Sequence, residues 1–369
     1  MPARSLVLIA VLAVLAAGSA APASAAPAVG HVFVIVLENE DAAATFSQNS
    51  PAPYLAHTLT AQGAFVPGYY GIGHYSLDNY IAMVSGQAPT VATQADCPDF
   101  VDVAPGTPAA DGQVLGQGCV YPAPVQTVAG QLRARGLTWK GYMEDMGDDP
   151  LRDNGSACAH PAIGSPDRTQ QASATDQYAT RHNPFVYFHS IIDDAAGCQA
   201  RDVSLNALPG DLASTRTTPN LSFITPDLCH DGHDASCADG TQGGLPAADA
   251  FLQQWVPRIT ASPAYRRDGL LVVAFDEAGS DSSSCCGEQS GPNTVAAGGP
   301  SGGSGGGRTG AVLLSRFIAP GTVSARDYNH YSLLRSVEDA FGLAHLGYAG
   351  APGLRPFGSD VFTAAKTTK

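Results

Sequence analysis

The sequence predicts an α/β fold, a doubly wound and mostly parallel sheet with helices on both faces. Two β-branched apolar runs carry this expectation, His31–Leu37 and Gly269–Phe275, each reading as a strand buried on both faces. Helical patterns alternate with such runs along the chain, as a parallel sheet requires. Both runs end on polar groups, Glu38-Asn39 and Asp276-Glu277. Open α/β sheets place their sites at that carboxyl edge.

Taken in order, the chain opens on a secretory signal: Arg4, an apolar stretch from Leu6 to about Ala17, and the small residues Ala23-Ser24-Ala25. The stretch is short of the about 20 residues that cross a bilayer. Cleavage after Ala25 and an exported product are therefore expected, with 26–369 forming a single domain and no stable membrane insertion. Strand 31–37 gives way to an alanine-rich helical stretch after Asp41. A helix over 53–64 and a short strand at 64–67 lead to a glycine-rich turn, Gly71-Ile72-Gly73-His74-Tyr75. Ser76 follows, then an apolar stripe at helical spacing, Leu77, Tyr80, Ile81 and Val84. Irregular insertions are expected near 88–124, 147–180 and 279–307. Thr127 caps a helix ending at Gly136. Strands are expected over 138–143, 220–225 and 309–314, and helices near 246–261 and 332–341.

The net charge of −14, with only 19 Lys and Arg, excludes a phosphate-backbone grip on nucleic acid and simple attraction to anionic membranes. A phosphate-bearing substrate would need a local cation, and a divalent metal ion is the expected cofactor. Eight cysteines suit an oxidising compartment. The pairings nearest in sequence are Cys97 with Cys119, Cys158 with Cys198 and Cys229 with Cys237, leaving the adjacent Cys285 and Cys286. No Cys-x-x-Cys spacing points to a thiolate zinc site.

A serine at a helix start is ordinarily a cap. Here it has another use, because backbone N–H groups and the helix dipole favour an anion at that place. Potential metal ligands fall at four strand ends on one sheet edge: Glu38 and Asn39, Asp231 with His233 and Asp234, Asp276 and Glu277, and His330. Each has a plain alternative: Asp276-Glu277 as a turn cap, Asp231 to Asp234 as a hydrated turn, His330 as a helix-start neighbour, His182 as an organiser of its own loop. Together they suit zinc, manganese, iron or calcium without choosing among them. A metal beside Ser76 would activate its hydroxyl against phosphorus.

The spacing Ser76-x-x-Asn79-Tyr80, then Ser85-Gly86, resembles the nucleophile motif of the alkaline-phosphatase-like superfamily. With Glu38-Asn39, His74, Glu144-Asp145, Arg181-His182-Asn183-Pro184, Asp231-Gly232-His233-Asp234, Asp276-Glu277 and His330, the chain is similar to the phosphoesterase family. That family groups secreted bacterial acid phosphatases with phospholipases C, and the nearest likeness is to its small acid phosphatases, of the phosphatidylinositol-3-phosphatase type. The resemblance implies Ser76 as nucleophile, with Asn79 and His74 beside it in the catalytic set and Asn79 contacting phosphate. It implies Glu38, Asn39, Asp276 and Glu277 as metal ligands, and Asp231, His233 and His330 as a second metal site or phosphate contacts. Asp78 stands where the family usually has proline, and the turn after Asn39 lacks the usual serine or aromatic. The expected function is a monomeric, metal-dependent phosphomonoesterase acting on a phosphate ester, phosphoinositides included. The alternatives are phospholipase C chemistry and a silent surface-binding module that kept the fold.

Overall fold

The computed structural model describes residues 27–299 and 303–364, so the signal peptide expected over 1–25 lies outside the described residues. Eight strands form the main sheet: β1 (His31–Leu37), β2 (Ala64–Val66), β3 (Trp139–Met143), β4 (Asp202–Ser204), β5 (Leu221–Thr225), β6 (Gly269–Phe275), β7 (Ala311–Ser315) and β8 (Thr322–Val323). Their order across the sheet is β8-β2-β7-β6-β1-β5-β3-β4. From β6 to β4 every pairing is parallel.

Strand β1 shows why these runs are central. Val32, Val34 and Val36 face one apolar core, while Phe33, Ile35 and Leu37 face a second on the other side. Leu270, Val272 and Ala274 of β6 alternate with Leu271, Val273 and Phe275 in the same way. Each fully buried side chain of this size contributes about 1.5–3 kcal/mol, so neither strand could be solvated on either face. The first core is roofed by α1 (Ser76–Ser85), α2 (Val128–Ala134) and α4 (His330–Phe341), through Ile81, Leu132 and Leu334 among others. The second is roofed by α3 (Gly244–Ala261) through Phe251, Leu252 and Ile259. Thr127 caps α2 by accepting from Gly130 N at 3.1 Å, and Asn329 caps α4 by accepting from Ser332 N at 3.0 Å.

The departure from an all-parallel sheet lies at β7. It runs antiparallel to both β6 and β2, because the insertion after β6 leaves and re-enters the sheet at the same carboxyl edge. That insertion, expected to be irregular, is tied back in its described residues: Ala278 N donates to Gly306 O, Gly306 N to Gly71 O and Gly307 N to Ser283 O. The segment 88–124 holds a short hairpin, Ala104–Pro108 with Val114–Gln117. In 147–180 the Arg152 guanidinium is anchored between buried Asp153 and Asp176 at 2.9 and 2.7 Å.

All eight cysteines are paired, in the sequence-adjacent pattern, with Cys285 bonded to Cys286. Thiol titration of the denatured, unreduced protein is expected to detect almost none. Two thiols per chain would single out Cys285 and Cys286 as unpaired. No helix among the described residues is long and apolar enough to cross a membrane.

Candidate functional site

The parallel register assembles the site. Leu37 lies opposite Phe275, so the next residues of the two strands, Glu38 and Asp276, emerge side by side. Asp276 N donates to Leu37 O at 2.8 Å, and Asn39 N to Asp276 Oδ1 at 3.0 Å. On the other flank Glu38 N donates to Asp231 O at 2.8 Å, which brings in the loop after β5. Asn39 takes a left-handed φ of 54°, turning the chain sharply away from the edge.

Against this edge stands the N-terminus of α1. Ser76 is the first helical residue and not the cap; Tyr75 holds the cap position, without a side-chain capping bond. The Ser76 hydroxyl donates to Glu38 Oε2 at 2.6 Å, and Tyr80 donates to the other oxygen, Oε1, at 2.5 Å. The capping alternative for Ser76 therefore gives way to a serine–carboxylate pair. Tyr75 itself has φ 78° and ψ 137°. For a residue with a side chain, a conformation of this kind costs about 1–3 kcal/mol.

A cavity of about 310 Å³ opens here, bordered by Glu38, Asn39, His74, Tyr75, Ser76, Asp96, Arg181, His182, His233 and Glu277. His74 Nδ1 lies 3.3 Å from Glu277 Oε2, while its Nε2 meets Asp281 O at 3.0 Å. His182 stacks on Tyr80 with ring centroids 5.3 Å apart, and its Nε2 is 3.5 Å from Glu38 Oε2. Burial pushes the His182 imidazole well below its usual range, with Arg181 adding to the effect. Neither of its nitrogens makes a hydrogen bond.

Several expected residues take other places. Asn79 does not reach the cavity. Its Oδ1 accepts from Ile72 N and Gly73 N at 2.7 and 3.2 Å, and its Nδ2 donates to Gly73 O and Tyr75 O at 3.0 and 3.2 Å. Its whole hydrogen-bonding capacity goes into shaping the turn before Ser76, leaving no donor for a phosphate. His330 is fully buried behind the edge, with Nδ1 3.0 Å from Tyr69 Oη and Nε2 bonded to Asp276 O. Burial lowers its pKa to about 4. Both nitrogens are engaged, so neither a ligand nor a phosphate contact is available there. Asp231 is wholly buried, one oxygen accepting from His233 N at 2.9 Å, while the His233 side chain is half exposed beside Asp234. Asp78 does not border the cavity and is buried beneath the turn, where a Cβ on Gly73 would come within 2.4 Å of its Oδ2. Burial, and then Glu277, push its carboxyl well up.

Four cavity residues lie outside the expected catalytic and metal-ligand set: Tyr75, Asp96, Arg181 and His182. Asp96 accepts from Leu77 N at 3.1 Å and lies 3.8 Å from Arg181 Nε. It occupies the helix-start donor that the sequence reading reserved for a bound anion. Arg181 is the cavity's cation. Nothing in the local pattern at Asp96 announces this role, whereas Arg181 stands beside His182 in a motif that signals the site.

The donors also bear on the metal expectation. Burial first, and neighbouring carboxylates second, raise the pKa of Glu38, Asp276, Glu277 and Asp231 well above the carboxylate range. Such crowding needs protons or a cation to be stable. Asp276 Oδ2 and Asp231 Oδ2 are buried with no hydrogen-bond donor. A set of carboxylate oxygens with an amide has the donor chemistry of a hard divalent cation site, although the ligand atoms of Glu38, Asp276 and Glu277 do not all lie within 4.8 Å of one another. Among the described residues, the groups of three whose ligand atoms lie within 4.8 Å of one another are Cys158/Cys198/Asp202 and Asp227/Cys229/His230. Each contains disulfide sulfur, which offers no thiolate, and neither borders the cavity.

A serine-centred acidic cavity at the carboxyl edge of a mostly parallel sheet defines the class of protein. The chain belongs to the Phosphoesterase family, whose profile matches residues 45–344. It is similar to a phosphate-repressible acid phosphatase of Penicillium chrysogenum, 24% identical over 289 residues, or 78% of this chain and 54% of that one. It is also similar to a phosphatidylinositol-3-phosphatase of Mycobacterium tuberculosis, 26% identical over 339 residues, or 92% of this chain and 86% of that one. The chain thus spans about half the length of the Penicillium relative and most of the mycobacterial one. Among solved structures, a protein of the alkaline phosphatase superfamily from Vibrio parahaemolyticus aligns with TM-score 0.49 and 10% identity, over 90% of this chain and 72% of that one.

Proposed function

We propose that the protein is an exported phosphomonoesterase that works with a divalent cation and forms a phosphoserine at Ser76. The observation that carries the reading is the 2.6 Å hydrogen bond from Ser76 Oγ to Glu38 Oε2, inside a cavity floored by carboxylates. Kinship with proteins named acid phosphatase and phosphatidylinositol-3-phosphatase supports the reaction class. The four disulfides support export.

In this reading Glu38 accepts the Ser76 proton as Oγ attacks phosphorus. The bond from phosphorus to the ester oxygen breaks, the departing oxygen takes a proton from solvent and leaves as the alcohol, and water then hydrolyses the phosphoserine to phosphate and free Ser76. Arg181 holds a phosphoryl oxygen, and His182, whose nitrogens make no hydrogen bond, is available for a second. Asn79 and Asp96 act indirectly, by fixing the turn and the helix start around the serine. A divalent cation held by Glu38, Asn39, Asp276 and Glu277 would offset the crowded negative charge and stabilise charge developing on the phosphoryl oxygens.

The cavity favours a monoester. A terminal dianion presents three equivalent oxygens to these groups, whereas a diester has one fewer charged oxygen and needs room for a second substituent. Purified protein is expected to hydrolyse 4-nitrophenyl phosphate faster than phosphatidylcholine, and to lose turnover in chelator. Diacylglycerol release at a rate equal to or above monoester hydrolysis would overturn the choice in favour of phospholipase C chemistry.

A further inference from the structure

Tyr75 is a cavity residue that the proposed chemistry does not use and that the fold does not need. It precedes Ser76 directly, borders the cavity and is 49% exposed. Among the described residues, no hydrogen bond holds its hydroxyl and no aromatic partner packs against its ring. Its backbone lies at φ 78°, in the region where glycine is at ease and a side chain is strained. That conformation is imposed by its surroundings: Asn79 Nδ2 donates to its carbonyl at 3.2 Å, and its N–H faces the Glu277 carboxylate. A glycine would satisfy the same turn without strain. The ring therefore serves something other than the turn.

The remaining cavity border is polar, formed by groups such as Asn39, Asp96, Arg181 and His233. Tyr80, the other nearby tyrosine, is buried behind His182. Tyr75 thus supplies the large apolar face at the mouth of a cavity otherwise suited to charge. The alcohol portion is the part of a phosphate monoester that such a face can hold. We propose that Tyr75 determines leaving-group specificity: its ring is a platform on which a flat-faced alcohol portion, an aryl group or a sugar-like ring, stacks while the phosphate meets Ser76. This rests on the phosphomonoesterase reading and names the substrate class within it.

The test compares kcat/KM for phenyl phosphate, inositol 1-phosphate and glycerol 3-phosphate in the parent, Tyr75→Gly and Tyr75→Phe. Differences in intrinsic reactivity cancel when each variant's substrate ratio is divided by the parent's. Loss of one stacking contact should lower the phenyl-to-glycerol ratio of Tyr75→Gly by about 3- to 10-fold. Tyr75→Phe should keep the ratio within about twofold, since the ring remains. The Tm of Tyr75→Gly should equal or exceed the parent's, which a ring needed for packing would not allow. A parallel fall for inositol 1-phosphate assigns the platform to ring alcohols in general, and a fall for phenyl phosphate alone assigns it to aryl esters. Equal losses on phenyl and glycerol esters, or an unchanged ratio in Tyr75→Gly, would overturn the proposal. A parent that turns over none of the three monoesters sinks the phosphomonoesterase reading itself, an outcome distinct from an active parent whose ratio ignores Tyr75.

Discussion

Ser76→Ala is expected to lower kcat by about a thousandfold or more while leaving Tm within a few degrees of the parent's. The two halves of this expectation have separate causes. The methyl group has no oxygen to attack phosphorus, so phosphoserine cannot form, and residual turnover would rest on phosphate binding alone. Stability is little touched, because the lost hydroxyl makes one hydrogen bond to a carboxyl that Tyr80 still contacts, a change of about 1 kcal/mol. The measurement is steady-state kinetics on 4-nitrophenyl phosphate beside a thermal melt. Activity within about tenfold of the parent would remove Ser76 from the reaction and leave the 2.6 Å bond to Glu38 as a structural contact.

Most of the fold was legible because its strongest signals are local. β1 and β6 are unbroken apolar runs whose alternate residues feed two cores, and their observed bounds are those read from the sequence. The antiparallel β7 was not legible. Its direction depends on which edge a long insertion returns to, a tertiary fact with no trace in the strand's own residues. The site divides along the same line. Glu38 and Asp276 follow buried strands, so the parallel register alone sets them together. Residue type could not say which way a side chain turns once there. Asn79 and His330 have the right chemistry, yet one spends its amide on the 72–75 turn and the other bonds Tyr69 and the Asp276 carbonyl. Asp96 comes from an irregular segment pinned by the Cys97–Cys119 disulfide, and only the folded chain brings it to Leu77 N.

The double replacement Asp276→Asn with Glu277→Gln is expected to lower bound divalent metal and turnover together, with kcat/KM down by about a hundredfold or more. These isosteres keep the scaffold. An Asn at 276 still presents Oδ1 to the N–H groups of Asn39 and residue 277, bonds of 3.0 and 2.6 Å in the parent. What they remove is charge, two of the carboxylates that burial and neighbouring carboxylates hold at raised pKa. The sign of the metal-free behaviour follows. A carboxyl whose folded pKa lies above its unfolded value contributes stability fully below the unfolded pKa and loses it as pH rises through the folded one. The chelated parent should therefore lose Tm as pH rises above the ordinary carboxylate range, and the chelated double variant should lose less. Restoring metal should raise the parent's Tm by mass action and the variant's far less. Metal analysis, kinetics and melts across pH on the two proteins read all of this. Full metal occupancy in the variant, or a Tm–pH slope identical to the parent's in chelator, would take the cation site away from this sheet edge.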